Sequence, residues 1–249
     1  MTEETTQVSP EMTSKKSLSP AQAILVGACI IGVALVIAFG GNGAGMGTEK
    51  MPKDTFSLKP TETQVEEAPS LTFSPTDMEE HIFGDRNADV FLVEYSDIDC
   101  PFCRKFHPVM QQLMAEYGTK VAWVYRQFPL ESLHPNAFIK AKATECVASI
   151  AGNDAFWTYL NTLFATEVTP ANLSSTAVAQ GVDKAAFDTC MAGTEIEAKI
   201  REDQDSGIKA GVQGTPFTAV INVKTKEQAT IPGALDFAGA KGIVDGILN

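Results

Sequence analysis

Basic residues are scarce in this chain. Lysine and arginine number 19 against 31 aspartates and glutamates, a net charge of −12. A chain so acidic does not hold phosphates by displacing their counterions, so non-specific nucleic-acid binding is excluded as a role. Histidine is rarer still, with three in 249 residues. No second Cys-x-x-Cys and no closely spaced His pair accompanies Cys100 and Cys103, so the usual ligand set of a structural zinc site is missing. No internal repeat is visible, which removes solenoids and propellers.

One uncharged run is long. Residues 21–39, AQAILVGACIIGVALVIAF, would span roughly a 30 Å hydrocarbon core at ~1.5 Å rise per residue. Lys15 and Lys16 precede it and the next basic residue is Lys50, so residues 1–20 are expected in the cytoplasm and everything after 39 outside it. A cleavable signal peptide has a shorter apolar core, and an acylation box ending at Cys29 would be followed by polar sequence rather than ten more apolar residues. A retained anchor is therefore expected, with Cys29 an inert apolar residue within it. Residues 40–70 are rich in Gly, Pro, Thr and Glu without apolar periodicity and read as a flexible tether with a reach of about 30 Å.

The folded domain is expected over 71–249. Residues 88–95, ADVFLVEY, read as a buried strand. Phe102, Phe106, Val109, Met110, Leu113 and Tyr117 then mark one helical face, with Pro108 inside the helix and Gly118 closing it. Residues 121–128 form a second strand. Helices are expected from Asn136 to Ala151, from Asn153 or Asp154, from Thr169-Pro170 to Gly181, and from Asp183 to Gly193. Thr194 and Glu197 are spaced as a capping box for a fifth helix running toward Gly211. Phe217 to Val223 and Gln228 to Ile231 read as a hairpin, and Leu235 to Leu248 as a last helix. Two groups of strands split by a helical block, about 134–210, indicate an α/β core carrying an inserted helical subdomain.

The chemistry centres on SDIDCPFCRKF, residues 96–106. Cys100 lies where a strand turns into a helix, so unpaired backbone N–H groups favour its thiolate, the nucleophile of disulfide exchange. Cys103 is one helical turn on, able to close a disulfide with Cys100 or resolve a mixed one. Pro101 suits the first helical position. A zinc ligand pair and a purely structural staple are the competing readings. Asp97 and Asp99 cap the turn or face water. Thr215-Pro216 directly precedes a strand, where a cis peptide is a candidate and an ordinary trans turn the alternative. Glu94, inside an apolar strand, has either a role or a place at the solvated sheet edge. His107 and His134 read as surface or capping residues, and His81 has no motif around it. Phe102, Phe128 and Pro129 are candidates for the rim of an apolar groove.

EYSDIDCPFC, RQFPLESLHPNA, KATECVASIAG and VQGTPF occur in this order, and together they resemble the DsbA family of thiol–disulfide oxidoreductases, in particular its membrane-tethered single-domain bacterial members. The resemblance implies a thioredoxin fold with an inserted helical subdomain, no cofactor, and a protein-disulfide oxidoreductase acting through the CPFC motif. It makes Cys100 the attacking thiol, Cys103 the resolving thiol and Pro216 a cis-proline beside them. Thr215, Phe102 and Pro101 would border substrate, the Thr215 backbone pairing with it as an added strand. Glu94 would exchange protons with the resolving thiol. Some relatives carry a second disulfide in the insertion; here Cys146 and Cys190 are expected to form it, two buried free thiols being the alternative. The implied partners are reduced or unfolded exported proteins and a quinone-linked, DsbB- or VKOR-like membrane reoxidase, on the extracytoplasmic side. Phe102 stands where the best-known members have histidine and cannot donate a hydrogen bond, which predicts a milder thiolate. A reductase or isomerase, and a tethered non-catalytic binding or chaperone module, are the rival functions.

Overall fold

The computed structural model of the protein describes residue 71 and residues 80–249; the expected cytoplasmic tail, membrane span over 21–39 and tether over 40–70 lie outside the described residues. Among the described residues no helix is long and apolar enough to cross a membrane.

Among the described residues, five strands form one sheet. They are β1 (His81–Phe83), β2 (Val90–Ser96), β3 (Val121–Gln127), β4 (Phe217–Asn222) and β5 (Gln228–Pro232), in the order β1-β3-β2-β4-β5. β2 and β3 are parallel, and the other neighbours are antiparallel. β2 and β3 are buried at every position, which is why they appear as near-continuous apolar runs rather than alternating ones. β1 is additional to the expected elements and occupies the edge beside β3.

Helix α1 (Pro101–Tyr117) follows β2 and runs continuously through Pro108. Between β3 and β4 lie α2 (Ala137–Ala165), α3 (Leu173–Ala179), α4 (Lys184–Ala192) and α5 (Glu197–Lys209); α6 (Phe237–Leu248) closes the chain. Two expected helices, before and after Gly152, are one element broken at that glycine, whose φ of 83° suits a residue without Cβ. Asp183 and Asp236 cap α4 and α6 by accepting backbone N–H groups at 2.8 and 2.9 Å. The expected Thr194–Glu197 capping box is not formed: Ile196 occupies the cap of α5, and the Glu197 carboxylate instead accepts from Lys142 Nζ at 2.7 Å.

The sheet has two cores. On one face Val90, Leu92, Trp123, Tyr125 and Val220 pack with α1, α2 and α6. On the other, Phe91, Val93, Tyr95, Val124 and Phe128 meet the end of α5. There Arg126 pairs with Glu80 and donates to Tyr95 Oη at 2.7 Å, while Tyr95 Oη and Ser206 Oγ are 2.9 Å apart. Phe128 and Pro129 are buried, so neither rims a surface groove. The α/β core with its inserted helical subdomain is the expected thioredoxin arrangement, and the motif of interest falls at the end of central strand β2.

Candidate active site

Cys100 is the cap residue of α1, with extended backbone (φ −68°, ψ 124°), and Pro101 occupies the first helical turn, where its missing N–H costs nothing. The Cys100 N–H donates to the Asp97 carbonyl at 3.1 Å, closing the turn out of β2. Cys103 follows within the first turn of α1 and is completely buried. Both are free thiols.

The two thiols are driven in opposite directions. Cys100 is lowered to about 5; the Cys103 thiol beside it is the main cause, burial opposes it, and the Cys103 and Phe102 backbone and the Thr215 side chain add to it. Cys103 is raised far above the ordinary thiol range, first by burial, then by Cys100 and by the nearby Glu94 carboxylate. At neutral pH the arrangement therefore holds one thiolate and one thiol. None of the stabilisation of Cys100 comes from the Phe102 side chain, which is 58% exposed. The second cysteine, the backbone and Thr215 supply the donors instead.

The Thr215–Pro216 peptide bond is cis. The Thr215 carbonyl oxygen lies 3.5 Å from Cys100 Sγ. The Thr215 side chain is placed beside both sulfurs and lowers each of them by hydrogen bonding.

Glu94 is fully buried, directly across from Tyr125 on β3 and Thr218 on β4, and not at a solvated edge. Burial raises the group to about 7, with hydrogen bonding from Ser96 and Trp123 pulling the other way. The Ser96, Tyr125 and Thr218 hydroxyls and the Trp123 indole N–H are also buried around it. Burying a carboxylate with no cation beside it is costly to the fold and raises its pKa.

The remaining candidates fall out unevenly. Pro101 and Phe102 are exposed beside the pair. Asp99 is ion-paired with Lys140. A cleft lined by Asp99, Pro101, Arg104, Lys140, Ala165 and Glu167 adjoins them. Cys146 and Cys190 are disulfide-bonded, joining α2 to α4 away from the site. His107, expected at the surface, is buried: it stacks on Phe164, donates to Asn161 Oδ1 at 2.7 Å, and is lowered to about 4 by burial. His81 donates to Glu145 Oε2 at 2.8 Å while stacked on Phe156. Asp97 was legible only as a cap. It does accept the Asp99 N–H at 2.8 Å, but it is also buried and accepts from Leu130 and His134. Among the described residues no group of three or more His, Cys, Asp or Glu is placed to hold a metal ion.

A family model described as Thioredoxin matches residues 76–236. Among curated proteins, the Na(+)/H(+) antiporter NhaA 3 of Salinispora tropica is 34% identical over 139 residues, 55% of this chain and 21% of the antiporter. The NhaA 1 antiporter of Mycolicibacterium gilvum is 32% identical over 155 residues, 60% of this chain and 24% of the antiporter. The chain thus spans only 21–24% of the length of these relatives. Among solved structures, Pseudomonas aeruginosa DsbA2 is similar with a TM-score of 0.57 and 24% identity, over 67% of this chain and 93% of that one. Wolbachia pipientis alpha-DsbA1 gives 0.59 and 19%, over 68% and 91%. Proteus mirabilis ScsC in a transitional conformation gives 0.56 and 20%, over 70% and 75%. At these identities the structural likeness is one of fold.

Proposed function

This chain belongs to the thioredoxin family and has the fold of the DsbA proteins, and from that we infer a thiol–disulfide oxidoreductase that forms disulfide bonds in exported proteins. The observation that carries the reading is the geometry of the pair: Cys100 caps α1 with the Thr215 carbonyl 3.5 Å from its sulfur, and Cys103 is fully buried in the first turn, which drives the first thiol down and the second up. Stabilising the thiolate stabilises the reduced pair, and a pair whose reduced form is favoured gives its disulfide away.

In the reaction, a substrate thiolate attacks Cys100 Sγ of the oxidised pair. The Cys100–Cys103 bond breaks, its electron pair stays on Cys103, and Cys103 takes up a proton. A second substrate thiolate then attacks the substrate sulfur of the mixed disulfide and releases Cys100 as thiolate. The substrate dithiol loses two electrons and two protons; the enzyme gains both electrons and one proton, on Cys103, and the other proton goes to solvent. Glu94, near 7 and close to Cys103, is suited to supply or accept the proton there. The Thr215 backbone and the exposed Pro101 and Phe102 would meet an extended substrate.

The reduced pair then needs an oxidant. A quinone-linked membrane reoxidase, DsbB- or VKOR-like, fits the chemistry, with the domain tethered outside the cell membrane by residues 21–39. Support for that placement is the uncharged run and its flanking lysines. Antiport is not proposed: the relatives so named are matched over a small part of their length.

The test is refolding of a reduced, unfolded disulfide-containing protein by the oxidised domain. Cys100→Ser should abolish it. Undiminished activity in that variant would leave a binding or chaperone module as the better reading.

A further inference from the structure

Three donors converge on one buried carboxylate beside the cysteine pair. Asp97, in the turn after β2, is 1% exposed. Its Oδ1 accepts the Asp99 backbone N–H at 2.8 Å. Its Oδ2 accepts the Leu130 backbone N–H and His134 Nδ1–H, each at 2.8 Å. Leu130 and His134 lie on the connection from β3 to α2, so this carboxylate pins that connection to the active-site turn. The backbone N–H of the same Asp97 points the other way and donates to Cys103 Sγ at 3.5 Å. Hydrogen bonds to a buried carboxylate are among the stronger ones, and taking one away leaves charge without compensation.

We propose that His134 is a positioning residue for Cys103, acting through Asp97: the imidazole holds the Asp97 carboxylate, and thereby keeps the Asp97 N–H aimed at the Cys103 sulfur. The inference rests on the oxidoreductase reading. Cys103 sulfur carries negative charge when it leaves Cys100 under substrate attack, and again when it attacks the mixed disulfide in return. A fixed N–H facing that buried sulfur stabilises the charge where it develops. The Cys100 thiolate is served by other groups, namely Cys103, Thr215 and the Phe102 and Cys103 backbone. Neither Asp97 nor His134 is among those groups, so the effect of His134 falls first on the Cys103 sulfur.

The experiment follows two rates in full-length protein: attack of glutathione on the oxidised pair, in which Cys103 departs, and alkylation of reduced Cys100 by iodoacetamide across pH. His134→Ala should slow the first about tenfold and leave the alkylation profile unchanged. His134→Asn offers an amide N–H in place of Nδ1–H and should return the first rate to within about threefold of wild type. Should the alanine variant not fold, His134→Gln, whose amide sits one methylene too far out, takes its place with the same expected loss. A wild-type rate in His134→Ala or His134→Gln overturns the proposal. So does an alkylation profile that shifts with the rate, or an asparagine variant no better than alanine. Wild-type protein inert toward glutathione would fail the oxidoreductase reading as well; an active wild type with an unaffected His134→Ala fails this inference alone.

Discussion

Cys100 Sγ lies 3.5 Å from the carbonyl oxygen of Thr215, a residue 115 positions away. The contact joins the start of α1 to the loop entering β4 and puts the Thr215 hydroxyl next to both sulfurs, where it lowers Cys100. Thr215→Val keeps the shape and removes the hydroxyl. A hydrogen bond's worth of about 0.5–1.5 kcal/mol corresponds to a roughly two- to tenfold smaller thiolate population at mildly acid pH. The pH profile of Cys100 alkylation should move upward accordingly.

Glu94 makes stability depend on pH. Burial raises it from 4.5 to about 7, so the fold favours the neutral acid. That contribution is complete below about 4.5 and is lost as pH rises through about 7. Glu94→Gln stays neutral throughout and escapes the loss. The unfolding free energy of the reduced variant should therefore gain on that of the reduced wild type by about 3 kcal/mol between these limits. Denaturant titrations that run parallel in pH for the two proteins would contradict this.

The Cys146–Cys190 disulfide closes a loop of 44 residues between α2 and α4. Replacing both cysteines with alanine should cost roughly 3–4 kcal/mol of stability by loss of loop closure. Since neither sulfur belongs to the CPFC site, the Cys100 alkylation rate should change little. Urea unfolding and the alkylation assay separate the two effects.

Two glycines differ in what a methyl group would meet. At Gly207 on α5 an added Cβ falls 2.7 and 2.9 Å from Phe128 ring carbons and 2.9 Å from the Tyr95 ring. At Gly242 on α6 it meets nothing within 4 Å. Gly207→Ala should destabilise by about 1–3 kcal/mol through overpacking. Gly242→Ala should stabilise by about 0.5–1 kcal/mol, as alanine does in an open helix position. Melting temperatures that move the same way in both would refute the packing described for α5.

The parts of the fold that were legible in sequence are those coded locally. β2 and β3 are apolar runs between turn residues, Pro101 sits at a helix start, and Thr215-Pro216 precedes a strand. β1 was not legible: three residues carry no period, and their strand exists because the edge of β3 accepts it. His107 occupies a core position because Phe164 and Asn161, more than 50 residues away, give its ring a stacking face and an acceptor. The Thr194–Glu197 spacing was a sound local pattern, yet Glu197 pairs with Lys142 of another helix. At the site, the cysteines and Thr215-Pro216 could be found from motif and context. The convergence of Leu130 and His134 on Asp97 could not, since a hydrogen bond across 37 positions leaves no local trace.

The reduction potential of the Cys100–Cys103 pair, measured at equilibrium with glutathione, decides whether the pair gives its disulfide away. A thiolate held at about 5 predicts an oxidising couple, about −120 to −180 mV. A value near −270 mV, the range of a reductase, would contradict it.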